Sequence, residues 1–84
     1  MTIVNKLGLH ARAATQLVQL ANQYSSSIQL TQDDKEAPAN SVLALMMLES
    51  SQGKQILVTC EGEDAPQAMS AIQDLIQNRF NENE

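Results

Sequence analysis

The residues of this chain that are best suited to chemistry lie in one short segment, Gly8-Leu9-His10-Ala11-Arg12. His10 is the only histidine, and a neutral imidazole is a competent nucleophile near pH 7. Arg12 adds a permanent cation whose planar fork matches phosphate oxygens. Because a helix is predicted to begin here, free backbone amides and the helix dipole would favour a bound anion. The segment is therefore suited to phosphoryl transfer through His10, but on these grounds alone a plain surface or capping histidine is the more usual role.

Other kinds of chemistry have little support in the sequence. A metal site needs several converging ligands, and the chain has one histidine and one cysteine. Cys60 ends the apolar run Ile56-Leu57-Val58-Thr59-Cys60, which indicates a small buried side chain rather than a nucleophile. A lone cysteine also excludes an internal disulfide, and no glycine-rich phosphate loop is present. We therefore expect neither a metal nor a cofactor.

The charges of the chain are distributed unevenly along its 84 residues. Residues 1–32 carry only Lys6 and Arg12, whereas residues 33–84 carry all ten acidic residues against three basic ones. The first third could therefore offer a site to an anion, and the alternative is that the helices merely differ in their surface charges. The net charge of −5 argues against binding to nucleic acid or to an anionic membrane. The longest apolar stretch, 42–48, is too short to span a bilayer and no secretory signal is recognised, so we expect one cytoplasmic domain, residues 1–84.

Periodicity and turn residues predict the element order βαββαβα, which places His10 between the first strand and the first helix. Ser41 is predicted to cap the second helix, and Asp64, with Gln67 three residues later, to cap the third. The order implies an α/β fold of the α+β type, a two-layer open-faced sandwich with a four-stranded antiparallel sheet and three helices on one face. The strands are predicted at 1–5, 28–31, 35–37 and 54–61, and the helices at 11–24, 41–48 and 65–80.

The predicted second helix is apolar on nearly every side, through the run Val42-Leu43-Ala44-Leu45-Met46-Met47-Leu48. So short a helix cannot bury all of these side chains in a small domain. Exposed apolar patches usually mark a partner surface, and methionine is common at such surfaces. The pattern favours a docking role for at least two of these residues, with core packing as the alternative.

The segment Asn5-Lys6-Leu7-Gly8-Leu9-His10-Ala11-Arg12 closely resembles the active-site segment of the histidine-containing phosphocarrier protein (HPr) family of the bacterial phosphoenolpyruvate-dependent phosphotransferase system. The similarity continues through Asn40-Ser41-Val42, Gln52-Gly53 and Glu61-Gly62-Glu63-Asp64-Ala65, and the element order also matches. Residues 40–48 are most similar to the nitrogen-branch members of the family.

This resemblance implies a phosphoryl carrier rather than a turnover enzyme. His10 would accept a phosphoryl group from phosphorylated enzyme I and donate it to an IIA-type protein, and the family uses Nδ1 for this. The side chain of Arg12 and the amides of Ala11 and Arg12 would hold the phosphoryl oxygens. A monomer is expected. The docking residues implied on the first two helices are Thr15, Gln16, Leu43, Met46 and Met47.

Some features leave alternatives open. Ala13 stands where the family usually has proline, which predicts a looser helix start with one extra N–H. Ser41 matches a serine that some family members have phosphorylated as a regulatory switch, although a plain helix cap is the favoured interpretation. The nitrogen-regulatory branch is favoured over sugar uptake. The alternative function is a regulatory binding module that docks on other proteins without carrying phosphate, and the presence of His10 argues against it.

Overall fold

A computed structural model describes residues 1–82 of the chain. The described part folds as an α+β protein with three α-helices and a three-stranded antiparallel sheet. The elements, in chain order, are α1 (Ala11–Ala21), β1 (Ser27–Gln32), β2 (Lys35–Pro38), α2 (Val42–Met46), β3 (Leu57–Glu61), α3 (Ala65–Gln77) and a short 3₁₀ turn (Arg79–Asn81). Across residues 1–82, no helix is long and apolar enough to cross a membrane.

The sheet has the strand order β2-β1-β3, with β1 in the centre. Leu30 of β1 pairs with Ala37 on one side and with Val58 on the other. Along β1 the side chains of Ile28, Leu30 and Gln32 are buried, while the residues between them are more exposed. This alternation is that of a sheet covered on one face only. Helix α3 contacts β3, α2 contacts β2, and α1 packs against both helices.

The predicted four-stranded sheet is not confirmed, because the N-terminal segment forms only an isolated antiparallel bridge between Thr2 and Gln55. Backbone hydrogen bonds flank it on both sides. The Met1 amino group donates to the Ile56 carbonyl (2.6 Å), and the Ile56 N–H donates to the Met1 carbonyl (2.7 Å). On the other side, Ile3 N–H donates to the Lys54 carbonyl (3.0 Å), and Gly53 N–H donates to the Ile3 carbonyl (2.8 Å). The chain turns away from Asn5 onwards, which leaves too little length for a continuous ladder. For the same reason β3 begins at Leu57 rather than at the predicted residue 54.

The helices are shorter than predicted. Helix α1 ends at Ala21 instead of residue 24, and α2 spans Val42–Met46 instead of 41–48. The predicted cap of α2 is confirmed, since the Ser41 hydroxyl oxygen accepts a hydrogen bond from the Ala44 N–H (3.2 Å). This bond satisfies one of the free donors at the start of α2.

The predicted side-chain cap of α3 is wrong. Asp64 occupies the N-cap position, but its side chain makes no capping hydrogen bond. The carboxylate instead accepts from the backbone N–H of Ser25 (2.8 Å), the backbone N–H of Ser26 (2.9 Å) and the Ser26 hydroxyl. These three donors lie in the loop between α1 and β1, so the carboxylate fastens that loop to the start of α3. They also lower the pKa of Asp64, with the Ser26 hydroxyl as the largest cause.

Candidate functional site

His10 is the N-cap residue of α1, with extended backbone angles (φ −83°, ψ −177°). Its carbonyl accepts the first intrahelical bond, from the Ala14 N–H at 2.8 Å, while its side chain makes no capping bond. The backbone N–H groups of Ala11, Arg12 and Ala13 have no backbone partner within residues 1–82. These free donors sit at the positive end of the helix dipole, next to the imidazole, as predicted.

The loop that delivers His10 is held tightly against residues 50–51. Gly8 has a positive φ of 69°, and a Cβ added there would lie 2.5 Å from the Ser50 carbonyl oxygen. The Leu9 N–H donates to that same oxygen (2.8 Å). The fully buried Asn5 side chain donates to the Gly8 carbonyl (2.8 Å). The loop therefore needs glycine at position 8, since any side chain would force the two backbones apart.

Ser50 is itself held in place by a buried hydrogen bond to the side chain of Gln32. Its hydroxyl donates to the Gln32 side-chain oxygen (2.5 Å), and the Gln32 amide donates to the Leu48 carbonyl (3.1 Å). All of these groups are buried, so each hydrogen bond also avoids the cost of an unsatisfied polar atom. The end of β1 thus supports the loop on which His10 depends.

The imidazole of His10 faces a carboxylate from the far end of the chain. His10 Nε2 lies 3.0 Å from Glu82 Oε2, and the two side chains are 29% and 11% exposed. The Asn5 amide donates to Glu82 Oε1 (2.9 Å). His10 Nδ1 is buried and has no hydrogen-bond partner in the described structure. Neither Glu82 nor the buried role of Asn5 is predicted from the sequence, because no local pattern links residue 82 to residue 10.

Arg12 lies on the exposed side of the first turn of α1. Within the described range its guanidinium forms no ion pair, so it is available to an incoming anion. Ala13, by contrast, is fully buried and packs into the core. Position 13 therefore contributes to packing as well as to the helix start.

The predicted docking residues fall into two groups. On α2, Leu43 and Met47 are 70% and 66% exposed and Met46 is also exposed, while Leu45 is fully buried. On α1, Thr15 is exposed with its hydroxyl donating to the Ala11 carbonyl (2.7 Å). Gln16 is half-buried, and its side-chain oxygen accepts from the Asn81 amide (3.0 Å). Leu7 is not among the docking residues predicted from the sequence, although its side chain is exposed in the loop before His10.

Two other kinds of reactive group were considered in the sequence, metal ligands and the Cys60 thiol. Within residues 1–82, no three His, Cys, Asp or Glu side chains lie close enough together to hold a metal ion. Burial raises the pKa of the Cys60 thiol, and the Asp64 carboxylate raises it further. A raised pKa disfavours the reactive thiolate. Cys60 is half-buried against the core rather than fully buried as expected.

Comparison with known proteins identifies the arrangement. The family model described as PTS HPr component phosphorylation site matches residues 1–78. Phosphocarrier protein NPr of Shewanella violacea is 49% identical over 82 residues, which cover 98% of this chain and 90% of the relative. Phosphocarrier protein HPr of Xylella fastidiosa strain Temecula1 is 45% identical over 82 residues, covering 98% and 92%. The crystal structure of HPr-C-His from Thermoanaerobacter tengcongensis matches with a TM-score of 0.94 and 40% identity, covering 100% of this chain and 94% of that one.

The fold and the histidine at the start of α1 are therefore those of a small phosphocarrier domain. The chain belongs to the HPr family of phosphocarriers of the phosphotransferase system, and it is similar to members named NPr as well as to members named HPr.

Proposed function

We propose that residues 1–84 form one phosphocarrier domain in which His10 accepts a phosphoryl group from enzyme I and donates it to an IIA-type protein. The observation that carries this proposal is the position of His10 at the N-cap of α1, beside three backbone amides with no backbone partner in the described structure. Anions are stabilised at such a helix start by the amides and the dipole together. The family membership supports the same chemistry.

Arg12 and the helix start would act on the same phosphoryl group. Phosphoryl transfer depends mainly on positioning and on stabilising charge over the phosphoryl oxygens. The amides of Ala11 and Arg12 supply fixed donors, and the guanidinium of Arg12 supplies a mobile cation. The cation is not needed to balance a carboxylate within residues 1–82, which supports a role toward a ligand rather than in folding.

The direct test is the intact mass of the protein after incubation with phosphoenolpyruvate and enzyme I. One acid-labile phosphate is expected on the wild-type chain and none on His10→Ala. The variant should remain folded, because the His10 side chain makes no capping bond. Retention of label in His10→Ala would place the acceptor elsewhere. Binding to enzyme I without any label on the wild-type chain would favour the regulatory binding module.

We further propose that the exposed apolar side chains of α2 dock the partner proteins, with Leu43 and Met47 at the centre of this surface. Their exposure leaves apolar area uncovered beside α1, which carries the acceptor. Thr15 and Gln16 on α1 would border it. Met47→Glu should weaken binding to enzyme I while the protein stays folded, since the introduced charge remains in water.

The chain offers two matched controls for this experiment. Leu57 on β3 is 64% exposed and lies outside both helices, so Leu57→Glu should leave partner binding unchanged. Leu45→Glu should unfold the domain, because Leu45 is fully buried in the core. Equal loss of binding in the Leu57 and Met47 variants would show that the α2 surface is not specific.

The nitrogen-regulatory branch is the proposed setting. The support is the similarity of residues 40–48 to nitrogen-branch members and the 49% identity to the NPr of Shewanella violacea. Transfer from the phosphorylated chain to a nitrogen-branch IIA protein should therefore be faster than transfer to a sugar-specific one. The reverse order would assign sugar uptake. Ser41 acts as a helix cap, and its phosphorylation, the monomeric state and the cytoplasmic location stay predictions.

A further inference from the structure

Two polar side chains meet inside the core, where the last residue of β1 lies against the segment that follows α2. Gln32 is 7% exposed and Ser50 is 3% exposed. The buried positions before Gln32 on β1 carry Ile28 and Leu30, so the alternation of the strand predicts an apolar side chain at position 32. Replacing both partners of a buried hydrogen bond by apolar groups of the same shape is often neutral or stabilising. Packing alone therefore gives no reason for glutamine at this position.

The side-chain amide of Gln32 holds the turn that follows α2. Its Nε2 donates to the Leu48 carbonyl (3.1 Å), and its Oε1 accepts from the Ser50 hydroxyl (2.5 Å). These two bonds lie on either side of Glu49, which has a positive φ of 57°. Left-handed backbone is unfavourable for residues other than glycine, and it persists where surrounding contacts hold it in place. One side chain thus fixes the conformation of residues 48–50.

This turn joins the two parts of the candidate site. At its start it continues directly from Met47, which is exposed on α2. At its end the Ser50 carbonyl accepts from the Leu9 N–H (2.8 Å), and Leu9 directly precedes His10. Glu49 and Ser50 also line the same surface pocket as His10. The end of the exposed α2 surface and the loop that carries the imidazole are therefore both fastened to the end of β1.

We propose that Gln32 is a positioning residue for phosphoryl transfer: its amide holds the apolar surface of α2 and the loop before His10 in one fixed relative placement. This inference rests on the proposed function. A partner docked on Leu43 and Met47 must bring the phosphoryl group into line with the imidazole. Misplacement of reacting groups by about 1 Å can slow a reaction roughly a hundredfold. Because Gln32 is buried, it acts through the backbone that it holds and not by touching the partner.

This role predicts which kinetic quantity changes. Gln32→Leu removes both hydrogen bonds and leaves the exposed side chains of α2 unaltered, so the KM of the protein as a substrate of phosphorylated enzyme I should stay near the wild-type value. The transfer rate at saturation should fall roughly ten- to a hundredfold. Met47→Glu should show the opposite pattern, a raised KM with the rate at saturation retained, because it removes a docking contact and leaves the turn in place.

A second variant separates positioning from stability. Gln32→Leu leaves the Ser50 hydroxyl buried without its acceptor, which destabilises the domain. The double variant Gln32→Leu/Ser50→Ala removes that hydroxyl as well, so it should regain part of the lost melting temperature. Its transfer rate should stay low, since the two bonds around Glu49 are still missing. The matched control is Gln29→Leu, the same change on the exposed face of β1, which should equal the wild type in rate and KM.

Rates are measured at a temperature where circular dichroism shows each variant folded, and the double variant alone is compared if Gln32→Leu does not fold. Hydrogen exchange of the Leu9 N–H follows the loop directly, and it should be faster without the Gln32 amide than in Gln29→Leu. A wild-type transfer rate in Gln32→Leu would overturn the inference. A rate that recovers together with the melting temperature in the double variant, or a change confined to KM, would do the same. If the wild type takes no phosphate at all, the proposed function fails, whereas exchange of the Leu9 N–H still decides whether Gln32 holds the loop.

Discussion

The close contact between Gly8 and residues 50–51 makes Gly8→Ala the sharpest test of how the loop before His10 is built. The added Cβ would lie 2.5 Å from the Ser50 carbonyl oxygen and 2.9 Å from the Ser51 Cα. Both are backbone atoms, so neither can rotate away as a side chain could. The two segments must separate, and the hydrogen bond from Leu9 to Ser50 lengthens or breaks.

Two costs add up in this variant. A positive φ of 69° is unfavourable for alanine by about 1–2 kcal/mol. Loss of the Leu9–Ser50 hydrogen bond adds about 1 kcal/mol. A loss of roughly 2–3 kcal/mol is a large part of the free energy of unfolding of a domain this small, about 4–12 kcal/mol. It should lower the urea midpoint by roughly 1–2 M.

The matched control is Gly53→Ala. Gly53 also has a positive φ, of 91°, but an added Cβ there meets no atom within 4 Å. Gly53→Ala should show only the cost of the positive φ and leave the phosphorylation of His10 unaffected. Gly8→Ala should also slow phosphorylation, because it displaces the loop before His10. Unfolding in urea is monitored by circular dichroism, and the rate of His10 phosphorylation is measured separately. Equal destabilisation by the two variants, with equal rates, would refute the steric argument.

The remaining predictions concern the start of α1 and the dependence of the free energy of unfolding on pH in acid. Arg12→Glu should slow phosphorylation more than about tenfold, while the melting temperature changes little because an anion suits a helix N-terminus. Ala13→Pro should be tolerated and raise stability by about 0.4–1 kcal/mol; a fall in both melting temperature and rate would show that the buried Ala13 is part of a remodelled site. Asp64 has a lowered pKa, so its stabilising effect is complete at neutral pH and lost as pH falls through its ordinary value of 3.8 and then its folded pKa. The free energy of unfolding of Asp64→Asn should approach that of the wild type in acid, and a constant difference between them at every pH would contradict this.

Much of the fold follows from local patterns in the sequence. The apolar spacing along α1 and α3 predicts helices, and the alternation from Ile28 to Thr31 predicts the central strand. The first strand could not be predicted correctly in the same way. Ile3 is fully buried as its apolar character suggests, but burial does not require a ladder, and the segment pairs through one bridge only.

Asp64 shows a second limit of local patterns. Its spacing from Gln67 is that of a capping box, and within an isolated helix that interpretation would be sound. In the folded chain, the loop at Ser25 and Ser26 brings three donors to the same carboxylate. The carboxylate therefore accepts from a loop that is distant in the sequence instead of from the N–H groups at the start of α3. Nothing in residues 61–68 indicates that such a loop lies nearby.

Some residues of the candidate site could be predicted from local patterns in the sequence, and others could not. His10 and Arg12 could be proposed from the sequence because the helix start beside them is contiguous with them in the chain. Asn5 and Glu82 could not, because their contact depends on a left-handed turn formed without glycine, which no pattern in residues 79–82 announces. The two parts should therefore respond differently to change. Substitutions at the helix start should weaken the proposed phosphate binding directly, whereas substitutions that relax the C-terminal turn should leave the amides and Arg12 in place and change only the surroundings of the imidazole. A chain with the His-Ala-Arg segment but without that turn should keep the amides and the arginine of the helix start, and would lack the carboxylate beside the imidazole.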